Sequence, residues 1–321
     1  MKNTNKIGFG TAAIGRPQYI NIRPKASTEF SLDAFRKAGI EMLESAYEQG
    51  VRYFDTAPGY GMAEQLIMDW TKTKNDSNIE IATKWGYTYV ANFDLNATQH
   101  EVKEHSLFKL NKQWTQSKKL LPLLTTYQIH SATFETGVLD NQDVLNRLFA
   151  LKQAHNIRMG ITTTGANQVE VLKKAIDVEI NGTLLFDVFQ VTYNLFDQSL
   201  ANVVKEHLTK NKRLVIKEAL ANGRVFPNDN YPHYAKTYEI LHSLANKYGV
   251  GIDAIALRFC IDSLHPLPQF KVLSGAATQQ QLSENLKANL FTLTEEELTL
   301  LKTLAIEPNQ YWSERKQLAW N

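Results

Sequence analysis

The sequence predicts an α/β protein, a single-domain (β/α)8 barrel of the TIM type. Three observations carry that expectation. Short β-prone runs alternate with amphipathic stretches from end to end, there are eight such runs, and 321 residues suit one barrel. Helical sequence follows each run, which implies a parallel sheet with crossover helices. Eight strands also close a cylinder. A doubly wound open sheet shares the alternation and stays open as an alternative at this point, because counting strands does not demonstrate closure.

The strand segments are 6–10, 52–55, 79–84, 125–130, 157–161, 187–191, 213–217 and 269–274. The stretch 33–49 reads as a helix that ends at Gly50, just before the second strand. Leu200, Val203, Val204, His207 and Leu208 fall at the i, i+3, i+4, i+7, i+8 positions of one buried helix face. Leu241, Leu244, Ala245 and Tyr248 repeat the pattern, with Gly249 placed as a C′ residue. Helical patterns at 279–289 and 294–304 follow the last strand, then an aromatic tail with Tyr311, Trp312 and Trp320. Residues 1–321 therefore read as one domain without a linker. Its tail, from about 305, suits either a cover over the barrel mouth or a hydrophobic plug, and composition favours the plug.

With 35 basic and 33 acidic residues, the chain carries a formal charge of +2, too little for general affinity to nucleic acid. The lysines of 109–119 lie near Glu101 and Glu104 and read as a solvated helix face. The N-terminal ten residues lack the apolar segment of a secretory leader. The most apolar run, 250–261, is too short for a membrane span and contains Asp253 and Arg258. A lone Cys260 excludes an internal disulfide framework and an all-cysteine metal site, and it suits a reducing compartment such as the cytoplasm.

Two motifs fail on spacing. Gly8, Gly10 and Gly15 invite a dinucleotide-fold reading, but Ala13 stands where the third glycine belongs. His100 and His105 resemble a zinc helix, yet their separation of five makes them diverge around a helix. No metal site is expected.

Reactive residues of an α/β barrel gather at the C-terminal ends of strands. There the sequence places Asp55 after the second strand, Tyr60 in its loop, Lys84 closing the third and His130 closing the fourth. Singly, each has a bland explanation: a turn cap, loop packing, a surface lysine, a core histidine. Together they converge on one mouth.

Tyr53-Phe54-Asp55-Thr56-Ala57-Pro58-Gly59-Tyr60-Gly61, Ala82-Thr83-Lys84-Trp85-Gly86 and Tyr127-Gln128-Ile129-His130-Ser131 resemble successive signatures of the aldo-keto reductase superfamily. Phe189-Gln190-Val191-Thr192-Tyr193-Asn194-Leu195, Leu273-Ser274-Gly275-Ala276-Ala277-Thr278 and Glu284-Asn285-Leu286 continue it in collinear order. The resemblance implies a barrel that binds a nicotinamide cofactor without a Rossmann domain and uses Asp55, Tyr60, Lys84 and His130 as its catalytic tetrad. Tyr60 would give the proton, its phenol made more acidic by Lys84, with Asp55 holding that lysine charged. A neutral His130 would hydrogen-bond the carbonyl oxygen.

The resemblance also implies a cofactor path. Gly10, Thr11 and Ala12 would lie beside the nicotinamide, Tyr193 would stack on it, and Gln190 and Thr162 would meet its carboxamide. Leu220 and Gly223 would admit the pyrophosphate. Gly275, Ala276, Thr278, Gln281, Glu284 and Asn285 would surround the adenosine end. NADPH-preferring relatives carry basic residues where this chain has Gly275 and Gln281, and 274–286 holds none, so NAD is favoured modestly over NADP. Asn, usual after the fifth strand, is replaced by Thr163, and the customary N-terminal hairpin is shortened or missing. Trp85, Tyr87 and Trp312 are candidates for an aromatic substrate wall suited to small aldehydes, ketones or aldoses. A cofactor-sensing barrel of the same superfamily with negligible turnover, and an unrelated barrel hydrolase, are the competing readings.

Overall fold

The computed structural model describes residues 5–22, 30–208, 211–264, 267 and 269–321. Eight parallel strands form the barrel: β1 (Ile7–Gly10), β2 (Tyr53–Asp55), β3 (Glu80–Trp85), β4 (Leu124–Ala132), β5 (Arg158–Thr163), β6 (Val188–Thr192), β7 (Arg213–Lys217) and β8 (Phe270–Ser274). β1 pairs with β2 through Phe9 and Phe54 and with β8 through Ile7 and Val272, so the cylinder is closed. The open-sheet alternative is thereby excluded.

Period-2 alternation builds the inside and the outside of the wall. Tyr53, Ala82, Val188, Val215 and Leu273 form one apolar cluster inside. Two residues further along the same strands come Asp55, Lys84, Gln190, Lys217 and Gly275, which share that inward parity at the C-terminal mouth. Outward residues such as Phe54, Ile81, Ile129, Phe189 and Ile216 join the core beneath the helices.

Those helices are α1 (Ala12–Gly15), α2 (Leu32–Glu48), α3 (Ala63–Thr71), α4 (Leu107–Ser117), α5 (Gln142–His155), α6 (Gln168–Ile176), α7 (Ala201–His207), α8 (Ala235–Tyr248), α9 (Ile252–Ser263), α10 (Gln279–Leu286), α11 (Glu295–Lys302) and α12 (Pro308–Lys316). The predicted face of α7 is buried at Leu200, Val203, Val204 and Leu208, but His207 in its last turn is exposed. Gly249 ends α8 at φ +64°, where only glycine is free of strain.

The histidine pair does not lie on a helix. Residues Glu101–Lys103 form a strand that pairs antiparallel with Tyr87–Tyr89 in a hairpin after β3, where cross-strand pairing overrides the helical reading. His100 stacks on Trp320, with ring centroids 4.3 Å apart.

The tail is partly buried and partly paired. Tyr311 and Trp312 of α12 are buried, while residues 319–321 pair with 19–21 beside the barrel mouth. No helix of the described residues is long and apolar enough to cross a membrane.

Candidate active site

Local geometry in the first loops aims Tyr60. Gly61 adopts φ +61°, and a Cβ on Gly15 would stand 2.1 Å from the Tyr60 carbonyl oxygen. Glycine at 15 therefore serves a close approach between α1 and the Tyr60 loop, a role unrelated to the failed dinucleotide motif. Met62 donates its backbone N–H to the Gly15 carbonyl at 2.8 Å. The buried Arg16 guanidinium donates to the Gly59 carbonyl at 2.9 Å and to Glu101 at 2.7 Å, and lies 5.3 Å from the Tyr60 ring centroid.

His130 is aimed by a different device. The β4–β5 register slips between Ile129 and Ala132, and Ser131 takes a left-handed φ of +55°. Such a bulge re-aims the neighbouring side chain toward the mouth. Thr162 Oγ1 accepts the Ser131 N–H at 2.6 Å, and His105 Nε2–H donates to the His130 carbonyl at 2.9 Å.

The four candidate catalytic residues meet. Lys84 Nζ is ion-paired to Asp55 and donates to the Thr56 carbonyl at 3.0 Å and to the Tyr60 hydroxyl at 3.3 Å. The Tyr60 hydroxyl lies 3.4 Å from His130 Nε2. Gln190 Nε2 donates to the second Asp55 oxygen at 2.7 Å, so that carboxylate is satisfied on both sides.

The electrostatics of the buried site keep the proton on Tyr60. Burial pushes the Tyr60 phenol well above its ordinary value, and the Asp55 charge pushes the same way. Arg16 pulls the other way, but less than burial and Asp55 together. The phenol is thus a firmly held proton. Burial, reinforced by the Lys84 charge, holds His130 well below the usual histidine range, so its ring is neutral.

A cavity of about 460 Å³ opens from this cluster, within the range of small-molecule sites. It is lined by Tyr60, Asp55, Gly10, Ala12 and Gln190 near the barrel axis, by Leu220 and Gly223 in the loop after β7, and by Gly275, Ala276, Gln281 and Asn285. Those candidates share one wall.

Others do not reach it. Tyr193 is buried with one ring face parallel to Phe259 of α9 and is not among the residues lining the cavity. Thr11 is buried and donates to the Asp55 carbonyl, and Thr162 is occupied with Ser131. Thr278 caps α10, and Glu284 pairs with Lys287 at 2.7 Å. Trp85 is fully buried beneath the hairpin, and Trp312 is buried with its indole N–H donated to Asp197 at 3.0 Å. Tyr87 lies behind His130, ring centroids 4.6 Å apart. None of these three aromatic residues lines the cavity.

Lining residues missed by the sequence reading include Tyr19, Lys217 and Asp253. Lys217 closes β7 just as Lys84 closes β3, so the same strand-end rule would have found it.

Comparison with known proteins decides the family. The model of the Aldo/keto reductase family matches residues 6–306. The chain belongs to the aldo/keto reductase family. Among curated relatives of this aldo-keto reductase is the NADH-specific methylglyoxal reductase of Escherichia coli (strain K12), 21% identical, covering 94% of each chain. Another is the aldo-keto reductase YhdN of Bacillus subtilis (strain 168), 22% identical over 80% of this chain and 78% of the relative. The glycerol dehydrogenase AKR11B4 from Gluconobacter oxydans has the same fold, with a TM-score of 0.67 at 21% identity over 93% of this chain and 90% of that one. The holo form of aldo-keto reductase AKR11C1 from Bacillus halodurans gives a TM-score of 0.63 at 18% identity over 94% and 92%.

Proposed function

We propose that this aldo-keto reductase is a nicotinamide-dependent oxidoreductase of small aldehydes, ketones or aldoses, working in the cytoplasm, with Tyr60 as its general acid and base. The observation that carries the reading is the contact of Tyr60 with both Lys84 and His130 at the head of a cavity.

The residues present fit a dinucleotide. A Cβ built on Gly275 would enter open space, leaving a cradle at that wall. Asn222 Oδ1, in the loop after β7, is a buried acceptor with no partner among the described residues. Glu218, Ala221 and Asn222 all hold left-handed φ values, between +48° and +57°, and such backbone strain gathers at ligand sites.

Bound nicotinamide supplies or accepts the hydride. The chain does the rest: His130, neutral, donates a hydrogen bond to the carbonyl oxygen and orients it, and Tyr60 protonates the developing alkoxide. Lys84 then faces the phenolate that remains, while Asp55 keeps the ammonium fixed. In the oxidative direction the phenolate form of Tyr60, facing Lys84, takes the hydroxyl proton.

NAD is the favoured cofactor. The end of the cavity formed by Gly275, Gln281, Asn285 and Asp253 holds a carboxylate and no cation among its lining residues. Lys271 is turned to the Asn5 carbonyl at 2.8 Å and Lys287 to Glu284, so neither flanking lysine serves a 2′-phosphate.

Tyr60→Phe tests the reading. It should leave NADH affinity, measured by fluorescence titration, near that of the parent and lower turnover on an aldehyde panel by about 10²-fold or more. Unchanged turnover would remove Tyr60 from its role.

A further inference from the structure

Among the described residues that line the cavity, Lys217 is the only lysine or arginine. It has the inward parity of Asp55, Lys84 and Gln190, and its neighbour across the β6–β7 ladder is Thr192. Its ammonium donates to Thr192 Oγ1 at 2.8 Å and lies 3.8 Å from Glu218. That carboxylate is already taken: Arg315 Nε meets both Glu218 oxygens at 2.9–3.0 Å and Nη2 meets one at 2.5 Å. Of the other charges, Lys84 pairs with Asp55 and Arg16 with Glu101, while Asp253 lines the far end beside Gly275 and Gln281 and accepts from Asn285 at 2.6 Å. Asp197, further along α12's contact surface, is engaged with Gln168, Ser199 and Trp312. Lys217 is left as the surplus positive charge at the Tyr60 and Gln190 end of the cavity.

We propose that Lys217 sets the balance between the oxidised and reduced forms of the bound nicotinamide, disfavouring the cationic ring and so favouring alcohol oxidation on the protein. This rests on the nicotinamide reading above, which puts the ring among Gly10, Ala12, Tyr60 and Gln190, the residues with which Lys217 shares the cavity wall. In the oxidative half, a hydride leaves the alcohol carbon for the ring, the hydroxyl proton goes to the phenolate form of Tyr60, and the products are a carbonyl compound, a neutral reduced ring and the protonated tyrosine. The positive charge on the ring disappears in that step, and with it the repulsion from Lys217. A ligand equilibrium shifts only by differential interaction with two states, and an ammonium supplies that difference.

The protonation state of Lys217 makes the effect adjustable. Burial, aided by Arg315 and Lys84, brings its pKa down to about 8 against the opposing pull of Glu218 and Asp197. It is charged at neutral pH and loses its charge above about 8.

The test is equilibrium binding of NAD+ and of NADH, separately, by tryptophan fluorescence on the full chain, Lys217→Met and Lys217→Arg. The parent should bind NADH more tightly than NAD+, and NAD+ affinity should rise as the pH passes Lys217's pKa while NADH affinity stays level. Lys217→Met should shrink the NAD+/NADH Kd ratio by on the order of tenfold, through tighter NAD+. Lys217→Arg should keep the ratio and remove its pH dependence. A ratio unchanged in Lys217→Met, or equal weakening of both forms, overturns the proposal and makes the lysine a structural or phosphate contact. If Lys217→Met does not fold by circular dichroism, the pH dependence of the parent against Lys217→Arg decides alone. Failure of the parent to bind either form overturns the functional reading itself.

Discussion

Lys84 and Lys217 both end barrel strands, point inward and carry an ammonium to the same mouth, yet their surroundings differ. On the β3 side, Lys84 is fully buried and in direct contact with Asp55, which in turn takes Gln190. On the β7 side, Lys217 has a hydroxyl as its contact partner while Arg315 occupies the nearby carboxylate. A contact pair fixes geometry and cancels charge, which suits the lysine that must hold a tyrosine in place. A cation with a borrowed counter-charge keeps a long-range field, which suits an influence on something else in the cavity.

The largest effect separating the two sides should come from Lys84→Met. It leaves Asp55 buried without its cation, at a cost of about 3–5 kcal/mol in folding stability, and removes the group that faces the phenolate. Turnover should fall by orders of magnitude. Adding Asp55→Asn should restore much of the melting temperature and none of the turnover, measured by thermal unfolding and steady-state rates on the same samples. Recovery of turnover in the double variant would show that the lysine acts only through folding.

On the β7 side the matching disruption is Arg315→Met. Glu218 is held down to about 2 by Arg315 and Lys217 despite full burial. A carboxyl depressed in the folded state contributes stability above its unfolded pKa, near 4.5, and loses it as pH falls toward 2. Losing the guanidinium should cost about 3 kcal/mol at neutral pH and weaken the acid-side slope of the melting curve. Tyr60 and Lys84 keep their contacts in this variant, so catalysis should fall far less than in Lys84→Met. Equal losses of turnover in the two variants would erase the distinction between the walls.

Much of this was legible in the sequence. All eight strands and the tetrad come from β-prone runs and from polar residues at their ends, signals that depend on local chemistry. The contact of Tyr193 with Phe259 was not legible, because Phe259 lies 66 residues away on α9 and nothing local to Tyr193 reveals that stack. The rise in the Tyr60 pKa was not legible either, because the burial and the Asp55 charge that cause it exist only in the folded surroundings. The histidine pair was read by helical spacing, whereas pairing with Tyr87–Tyr89 makes that segment a strand. Lys217 was overlooked although its position obeyed the rule that found Lys84.

A third carboxyl sharpens the contrast behind β3. Glu64 of α3 is buried, accepts hydrogen bonds from Thr83 Oγ1 at 2.5 Å and Ser117 Oγ at 2.8 Å, and touches no cation among the described residues. Desolvation lifts its pKa from 4.5 to about 7. The sign is opposite to that of Glu218. Below 4.5 both folded and unfolded chains hold the proton; between 4.5 and 7 the unfolded chain ionises first, so stability falls as pH rises. The drop amounts to about 3 kcal/mol. Glu64→Gln keeps an acceptor for both hydroxyls and has no charge to bury. Its melting temperature should therefore match the parent in acid and exceed it above pH 7, with turnover little changed. A variant whose melting curve runs parallel to the parent's at every pH would mean that Glu64 ionises freely in the folded barrel, and that the β3 side tolerates an unpaired buried carboxylate as readily as it holds the paired one.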